Sequence, residues 1–472
     1  MKKTVVLNVV GLTPGLLGEH TPFLSEWASR GQRASVEPVL PAVTSPVQAT
    51  YLTGRPPRDH GIVANGWYLR DLSRIRFWMR SGRLIQGPKI WDDARTVDDD
   101  FTCANLFWRY ATYSGADYVV AERPMYPSDG RKIPDLYTSP PDLRFDLQDE
   151  LGQFPLFNFW GPTASIESSQ WIAESAKLTD EVYDPTLTLV YLPHLDYNLQ
   201  RLGPEDPALA DDLEAIDAIC EDLISFYEDR GAQVIVVSEY GIDSVDRPVS
   251  LNRVLRREDL LTLREELGRE LLVPGASDAF AVADHQIAHV YVQDESRREE
   301  VRDLVASTPG VDRVLDADGK AEYGLDHRRA GDFVAVAEPD AWFTYYYWLD
   351  EDRAPDFAPT VDIHQKPGFD PAELFMDPDL WAPKVRAGAR LLQKKMGFRY
   401  LMDVIPTHGE LVGGSHGRLP ETPSDGPLLI TQQPDTLPDD AIHATDVRDI
   451  IFSHLTERRP DDVPAKNDEP SR

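Results

Sequence analysis

Short apolar runs alternate with amphipathic stretches through the first half of the chain. Residues 4–10, 186–192 and 233–237 are apolar runs rich in β-branched side chains, and this pattern predicts buried strands. Residues 207–230 are amphipathic and precede Gly231, whereas residues 23–30 follow Thr21-Pro22 and precede Gly31, so both predict helices. Strands that alternate with helices predict an α/β fold, with a mostly parallel sheet flanked by helices.

The pattern changes between residues 249 and 330. We predict helices over residues 259–271 and 296–307 and strands over residues 287–292 and 311–315, which together form a small α+β insertion or cap. The chain is then a single domain over residues 1–456 that contains this insertion. Residues 457–472 are rich in Pro, Asp and Glu, a composition typical of a disordered tail.

Charge and cysteine content narrow the classes of protein. Acidic side chains outnumber basic ones by 80 to 48, which gives a formal net charge of −32. The acidic charge is spread along the chain and disfavours nucleic-acid or anionic-membrane partners, because both require clustered Lys and Arg. No apolar run reaches the roughly 18 residues that a membrane span needs, and no cleavage site follows the N-terminal run, so we expect a cytoplasmic protein. Cys103 and Cys220 lack CxxC spacing, which argues against a thiolate zinc site or a disulfide framework.

Acidic side chains follow two of the predicted strands. Asp196 comes after the strand at residues 186–192, and Glu239 comes directly after the strand at residues 233–237. In open α/β sheets, ligands bind beyond the carboxyl ends of the strands. The negative charge of the protein repels a phosphate ester, so a site that binds one there needs a locally positive electrostatic potential. Bound divalent cations provide it.

A third candidate region is the stretch from residue 41 to residue 65. It contains a hydroxyl residue, Thr44, in a turn bracketed by prolines, then a predicted helix, then a glycine-punctuated loop that carries His60 and Asn65. At the start of a helix, backbone N–H groups point outward and the helix dipole favours negative charge. Thr44 is therefore placed to attack or to hold a phosphoryl group. The alternative is that Thr44 only caps the helix.

This stretch resembles the nucleophile region of the type I phosphodiesterase/nucleotide pyrophosphatase family, within the alkaline phosphatase superfamily. The matching positions are Thr44, Pro46, Thr53-Gly54, Pro56 or Pro57, His60-Gly61-Ile62 and Asn65. The resemblance implies an alkaline-phosphatase-like fold and a two-metal site in which Thr44 is both nucleophile and metal ligand. It also implies that Asn65 donates a hydrogen bond to a phosphoryl oxygen of the substrate.

The resemblance implies further metal ligands, of which some are present and some are replaced. Asp196 and Glu239 supply carboxylates, and His416 lies in a Gly-Ser-His-Gly sequence similar to the late histidine motif of the family. Three positions depart from the family pattern: Val10 replaces an Asp, and Gln200 and Tyr240 each replace a His. As substitutes for the lost ligands we consider Asn8, a poor neutral stand-in, and His194, which shares a face with Asp196 if the strand continues.

Asp362 and His364 are candidates to refill the depleted metal cluster. They lie on one face of an extended segment that ends at a Pro-Gly turn. The alternative is a structural salt bridge. Asp284-His285 and His289 form a similar group, but they lie in the predicted insertion, so we treat them as structural.

Taken together, the sequence predicts a hydrolase of small-molecule phosphoric esters, of the phosphodiesterase or pyrophosphatase type, with two divalent ions. The family resemblance implies zinc, and the oxygen-rich ligand set leaves manganese or magnesium as alternatives. One other hypothesis is an inactive family member that binds a phosphorylated ligand or a partner protein. Another is a hydrolase of monoesters, sulfates or phosphonates. The sequence leaves the substrate and the oligomeric state open.

Overall fold

A large central sheet organises the structure, a computed structural model that describes residues 1–128, 131–438 and 441–456. The sheet has nine strands. Across the sheet they follow the order Ile442–His443, Gln32–Glu37, Leu428–Thr431, Gln233–Val237, Thr4–Val9, Leu187–Leu192, Cys103–Leu106, Tyr118–Glu122 and Leu136–Ser139. Most neighbouring strands are parallel, which confirms the predicted α/β fold. The predicted tail at residues 457–472 lies outside the described residues.

The first strand lies near the middle of the sheet and positions the candidate residues. Thr4–Val9 is entirely buried and pairs in parallel with both Leu187–Leu192 and Gln233–Val237. Such a strand has a helix layer on each face, which explains why its sequence is continuously apolar rather than alternating. Because the three strands are parallel, the segments that follow them, which carry Asp196 and Glu239, leave the sheet at one edge.

Helices flank the sheet and connect its strands. The α-helices are Pro22–Arg30, Thr44–Thr53, Pro57–His60, Ile90–Val97, Leu143–Leu151, Leu156–Phe159, Ile166–Tyr183, His194–Leu202, Ala210–Glu228, Leu251–Arg257, Arg298–Ala306, Ala317–Glu322, Pro383–Lys395 and Val447–Thr456. The predicted helix at residues 23–30 is confirmed with its bounds shifted by one residue. The predicted helix at residues 207–230 is also confirmed, although its first turn, Pro207–Leu209, is a 3-10 helix.

A second sheet has three of its four strands in the predicted insertion at residues 249–330, and the fourth, Phe333–Ala337, follows it. It is antiparallel and has four strands, in the order Ala279–Asp284, Ile287–Val292, Phe333–Ala337 and Val311–Leu315. Two-stranded pairs complete the strand set: Gly66–Leu69 with Arg74–Phe77, Leu263–Glu266 with Arg269–Leu272, Asp243–Ser244 with Gly414–Ser415, and Arg247–Val249 with Ala341–Phe343. The division into a single domain with an insertion stays a prediction.

The helix predicted over residues 259–271 is wrong, because the structure has a β-hairpin there. Leu267 and Gly268, between its strands, have φ angles of 51° and 80°, which a helix does not allow and a tight hairpin turn requires. Glu270 on the second strand accepts bonds of 2.5 and 2.9 Å from the guanidinium of Arg256. These tertiary contacts outweigh the helix propensity of the Glu- and Leu-rich sequence.

Candidate active site

Thr44 is the first residue of its helix and does not cap it. The cap position is Val43, which has extended backbone and no side-chain hydrogen bond. The Thr44 hydroxyl instead lies 3.2 Å from the hydroxyl of Tyr240 and near the carboxylate of Glu239. The side chain therefore faces the strand ends, while the outward-pointing N–H groups and the dipole of the helix favour negative charge beside it.

Asp196 lies in the first turn of the helix His194–Leu202, which begins two residues after the strand Leu187–Leu192. One carboxylate oxygen, Oδ1, accepts from the Tyr240 hydroxyl at 3.2 Å, and Oδ2 accepts from the side-chain amide of Gln200 at 2.8 Å. Gln200 reaches this carboxylate because residues four apart share a helix face. Burial raises the pKa of Asp196 to about 7.

His194 does not share a face with Asp196, contrary to the expectation for a continuing strand. The segment is helical, and residues two apart on a helix point in different directions. The imidazole Nε2 of His194 lies 2.9 Å from Oδ1 of Asp212. Among the described residues, no hydrogen bond or ion pair joins His194 to Thr44 or Glu239.

Glu239 is fully buried at the end of the strand Gln233–Val237. Its Oε1 accepts two amide hydrogen bonds, each 2.5 Å long, from the side chains of Asn8 and Gln48. The amide orientation of Gln48 is fixed because its Oε1 accepts from the backbone N–H of Arg109 at 2.6 Å. Burial raises the pKa of Glu239 to about 7. Asn8 lies two residues before Val10, the position where the family pattern has an Asp, and its amide nitrogen donates to Glu239.

His416 stacks on Tyr240, with ring centroids 3.6 Å apart and an interplanar angle of 7°. Its Nδ1 donates to the backbone carbonyl of Ala42 at 2.8 Å, which leaves Nε2 as the nitrogen with a free lone pair. Nε2 lies 3.9 Å from Oδ1 of Asp196. Burial holds the pKa of His416 well below its usual value, so the ring is neutral.

Asn65 is held by both its backbone and its side chain. Its Oδ1 accepts from the backbone N–H of Ser45 at 3.0 Å, while its own N–H and Nδ2 donate to Asp284 at 2.7 and 3.2 Å. The same carboxylate lies 2.8 Å from Nδ1 of His285. One hydrogen of the Asn65 amide is therefore used by Asp284, and the second has no acceptor among the described residues.

Asp284 and His285 border the site, which the sequence alone did not indicate. They lie where the strand Ala279–Asp284 of the second sheet turns into its neighbour, and the His285 ring centroid is 3.8 Å from that of His416. A usable signal exists in retrospect, since a polar pair at the tip of an otherwise apolar hairpin is buried only if something nearby pairs with it.

Thr44 and Asp196 line a pocket of about 820 Å³, including space open to solvent, whereas Asn65, Glu239 and His416 are buried and do not line it. Thr44, Asp196, Gln200, Tyr240 and His285 contribute to its wall. The lining also includes the acidic Glu122, aliphatic residues, and several cationic or aromatic side chains: Arg80, Arg109, Lys132, Trp78, Tyr126, Phe159, Trp160 and Phe369.

Asp362 and His364 lie away from the predicted metal cluster. His364 lines the same pocket, but its Nε2 is 3.4 Å from Nη2 of Arg80. The Oδ2 of Asp362 accepts from the side chain of Gln365 at 2.5 Å. Within the described ranges, no hydrogen bond or ion pair joins either residue to Asp196, Glu239 or His416. The structure thus brings Thr44, Asn65, Asp196, Glu239 and His416 together without Asp362 and His364.

Unpartnered acceptor atoms indicate where the site fits a cation. On the Asp196 side, Gln200 Oε1 and His416 Nε2 are buried and have no hydrogen-bond partner in the part of the chain that the structure describes. Leaving a buried acceptor unsatisfied costs about 1–3 kcal/mol, which a bound cation offsets. Together with a carboxylate, an amide oxygen and an imidazole nitrogen are suitable ligands for a divalent ion.

The Glu239 side fits a second cation poorly. Two amide N–H groups already point at Oε1, and positive charge beside them is repelled. Val10 and Tyr240 stand where the family pattern has an Asp and a His. Three atoms remain as ligand atoms: Glu239 Oε2 and Asn8 Oδ1, both buried and unpartnered in the described structure, and the Thr44 hydroxyl oxygen.

Outside the pocket, the described residues contain one group of three side chains whose ligand atoms lie close enough to hold a metal ion. The group is partly exposed, its ligand atoms lie within 4.8 Å of one another, and it consists of Asp377, Asp379 and His408. No described helix combines the length and apolar character that crossing a bilayer requires.

Solved structures resemble the whole chain. Murine ectonucleotide pyrophosphatase/phosphodiesterase 5, solved as an inactive variant in complex with AMP, aligns with a TM-score of 0.60 and 15% identity, over 99% of this chain and 97% of that one. Phosphonoacetate hydrolase from Sinorhizobium meliloti 1021, in complex with phosphonoformate, aligns with a TM-score of 0.61 and 14% identity, over 96% and 95%. At this identity the likeness establishes the alkaline-phosphatase-like fold alone.

Sequence comparisons add the family. A curated relative, an uncharacterised pyrophosphatase/phosphodiesterase from Schizosaccharomyces pombe, is 25% identical over 267 residues, which is 54% of this chain and 44% of the relative. The match therefore spans less than half of that protein. The sequence model for type I phosphodiesterase/nucleotide pyrophosphatase matches residues 4–370. Family and neighbours support a phosphoester hydrolase in general. The chain belongs to the type I phosphodiesterase/nucleotide pyrophosphatase family.

Proposed function

We propose that this protein hydrolyses phosphoric diesters or pyrophosphates and that Thr44 is its nucleophile. One observation carries the proposal. The Thr44 hydroxyl lines the pocket at a helix N-terminus, hydrogen-bonds with the Tyr240 hydroxyl and lies near the Glu239 carboxylate. A hydroxyl in that position has a proton acceptor on one side and, on the other, a site that favours a phosphoryl group.

The chemistry proceeds in two displacements. As Thr44 Oγ1 bonds to phosphorus, its proton passes to the Glu239 carboxylate and the bond from phosphorus to the leaving oxygen breaks. The free hydrogen of the Asn65 amide and the N–H groups of the helix start stabilise the charge on the phosphoryl oxygens. Water then attacks the same phosphorus as the bond from phosphorus to Thr44 Oγ1 breaks, and one proton of the water passes to Oγ1. Glu239 returns to its carboxylate form by giving its proton to the oxygen that left in the first step. Asp284 keeps Asn65 in the donating orientation.

Asp196, Gln200 and His416 are the residues that would hold a divalent cation, which we propose to be zinc, manganese or magnesium. When bound, such an ion supplies charge stabilisation to the phosphoryl oxygens. The ligand atoms support one ion rather than the two predicted from the family pattern. The metal-binding role predicted for Asp362 and His364 is not part of this proposal, since both lie outside the cluster. The cytoplasmic location stays a prediction.

A second candidate is an inactive member that binds a phosphorylated ligand such as a nucleoside monophosphate. The observation that favours it is the Tyr240 hydroxyl, which lies between Thr44 and Asp196 at 3.2 Å from each. The murine neighbour bound to AMP suggests AMP as the ligand to try.

A substrate panel tests both candidates. Protein freed of metal and then supplied with zinc, manganese or magnesium is assayed on bis(4-nitrophenyl) phosphate, 4-nitrophenyl phosphate and 4-nitrophenyl sulfate. We expect the diester to be hydrolysed, Thr44→Ala to lower kcat by about 10³-fold or more, and Thr44→Ser to retain part of the activity. Equal melting temperatures confirm that the variants fold. Hydrolysis of the sulfate alone, or full activity in Thr44→Ala, contradicts the proposal. No turnover together with AMP binding by calorimetry supports the inactive candidate.

A further inference from the structure

Two cationic side chains in the pocket wall form no ion pair with any described residue. Within the described residues, Arg80 forms no ion pair, and its one side-chain hydrogen bond is to His364. Lys132 has no hydrogen bond or ion pair with any described residue, although it is partly buried. Burial lowers the pKa of Lys132, the nearby carboxylates of Glu373 and Asp362 raise it, and the charge of Arg80 lowers it. Arg80 and Lys132 line the same pocket.

The acidic side chains around these cations already have partners. Glu122 pairs with Arg109 at 3.2 Å. Glu373 accepts from Lys366 at 2.9 Å and from the indole of Trp160 at 2.6 Å. Asp362, as described above, accepts from Gln365. None of the three forms an ion pair with Arg80 or Lys132 in the described structure.

This arrangement is unusual for a chain with 80 acidic and 48 basic residues. By contrast, the buried cation of Lys366 is neutralised by two carboxylates, those of Asp370 at 2.7 Å and Glu373 at 2.9 Å. Two like charges in one partly desolvated wall, neither of them in an ion pair with a described residue, are less favourable in the free protein than a paired cation. They become favourable when an anion binds between them.

We propose that Arg80 and Lys132 form a subsite for a second anionic group, a carboxylate or a phosphate, on the organic part of the substrate. The inference rests on the proposed function, because it assumes that the phosphoryl group to be cleaved lies at Thr44, in the same pocket. The substrate class is thus a phosphoric ester with two separated negative centres. Charged hydrogen bonds of this kind typically change an affinity by about tenfold or more.

Matched esters test the subsite. The substrates are 4-nitrophenyl phosphodiesters whose second alcohol is 2-carboxyethyl, 2-phosphoethyl or the neutral 2-carbamoylethyl group. We expect kcat/KM to be at least about tenfold higher for one or both anionic esters than for the carbamoyl ester. In Arg80→Gln/Lys132→Gln, that preference falls to within about twofold, while the carbamoyl ester is hydrolysed as in the wild type. Comparing the carboxylate and phosphate esters identifies which anion the subsite takes.

Controls separate this proposal from the catalytic one. Arg302→Gln removes an exposed cation outside the pocket and should leave the preference unchanged. If no ester is hydrolysed, the proposed function fails, and the subsite is tested by calorimetric titration of the same esters. Tighter binding of an anionic ester that depends on Arg80 and Lys132 supports the subsite. Equal kcat/KM values, or equal affinities where there is no turnover, overturn it.

Discussion

The hydroxyl of Tyr240 lies 3.2 Å from that of Thr44 and 3.2 Å from Oδ1 of Asp196. A tyrosine thus links the candidate nucleophile to a candidate metal ligand, at a position where the family pattern has a histidine. Burial raises the pKa of Tyr240 well above its usual value, so the phenol keeps its proton and donates it within this network. The replacement changes a ligand position into a hydrogen-bonding one.

Restoring the family ligands should restore the second metal site. Val10 is buried at the end of the first strand, so Val10→Asp combined with Tyr240→His supplies a carboxylate and an imidazole beside Glu239. We expect bound zinc, measured by elemental analysis, to rise from about one to about two ions per chain. The matched control Val10→Asn/Tyr240→Phe should leave the metal content at about one. An unchanged ratio in the first variant would show that the two substitutions do not explain the difference from the family.

His364→Ala distinguishes a metal ligand from a residue of the pocket wall. We expect unchanged metal content, because His364 Nε2 faces Arg80 and has no contact with Asp196 or His416 in the described structure. His416→Ala is the matched control, and it should lower metal content because Nε2 faces Asp196. Loss of metal in both variants would support the sequence-based hypothesis that His364 refills the cluster.

Asp284 should matter for both stability and turnover. Its carboxylate accepts from the backbone and side-chain amide of Asn65 and lies beside Nδ1 of His285. Asp284→Asn places an amide N–H₂ group among these donors, so we expect the free energy of unfolding to fall by about 1–3 kcal/mol. Asp278→Asn, at a side chain that is 45% exposed, is the control and should change it by less than about 0.5 kcal/mol.

Kinetics separate a positioning role of Asp284 from a purely structural one. If Asp284 orients Asn65 toward the substrate, kcat falls in Asp284→Asn under conditions where the variant is fully folded. Asn65→Ala should lower kcat similarly, and the double variant should lose little more, because the two residues act as a unit. Additive losses in the double variant would contradict the orienting role.

The sequence predicted those parts of the site that depend on local pattern. The strands before Asp196 and Glu239 are continuous apolar runs, and parallel strands deliver their carboxyl ends to one edge of the sheet. The local pattern placed Thr44 at the start of a helix, and the family resemblance singled it out as the candidate nucleophile. Each of these features can be recognised from a short stretch of sequence alone.

The remaining parts of the site depend on contacts between distant residues. Asp284 reaches Asn65 across 219 positions of sequence, and no local pattern indicates that a hairpin of the second sheet packs there. The direction of His194 depended on whether the strand continued or a helix began after Pro193, and the helix does. In the same way, the tertiary contacts of Glu270 decided between helix and hairpin at residues 259–271.

The stereochemical course at phosphorus tests the central claim, that Thr44 is a covalent nucleophile. A phosphorothioate diester of known configuration is hydrolysed in ¹⁸O-labelled water, and the configuration of the thiophosphate product is determined by NMR. Two successive displacements, first by Thr44 and then by water, each invert phosphorus, so the account predicts overall retention. Overall inversion would show that water attacks directly, and would contradict it.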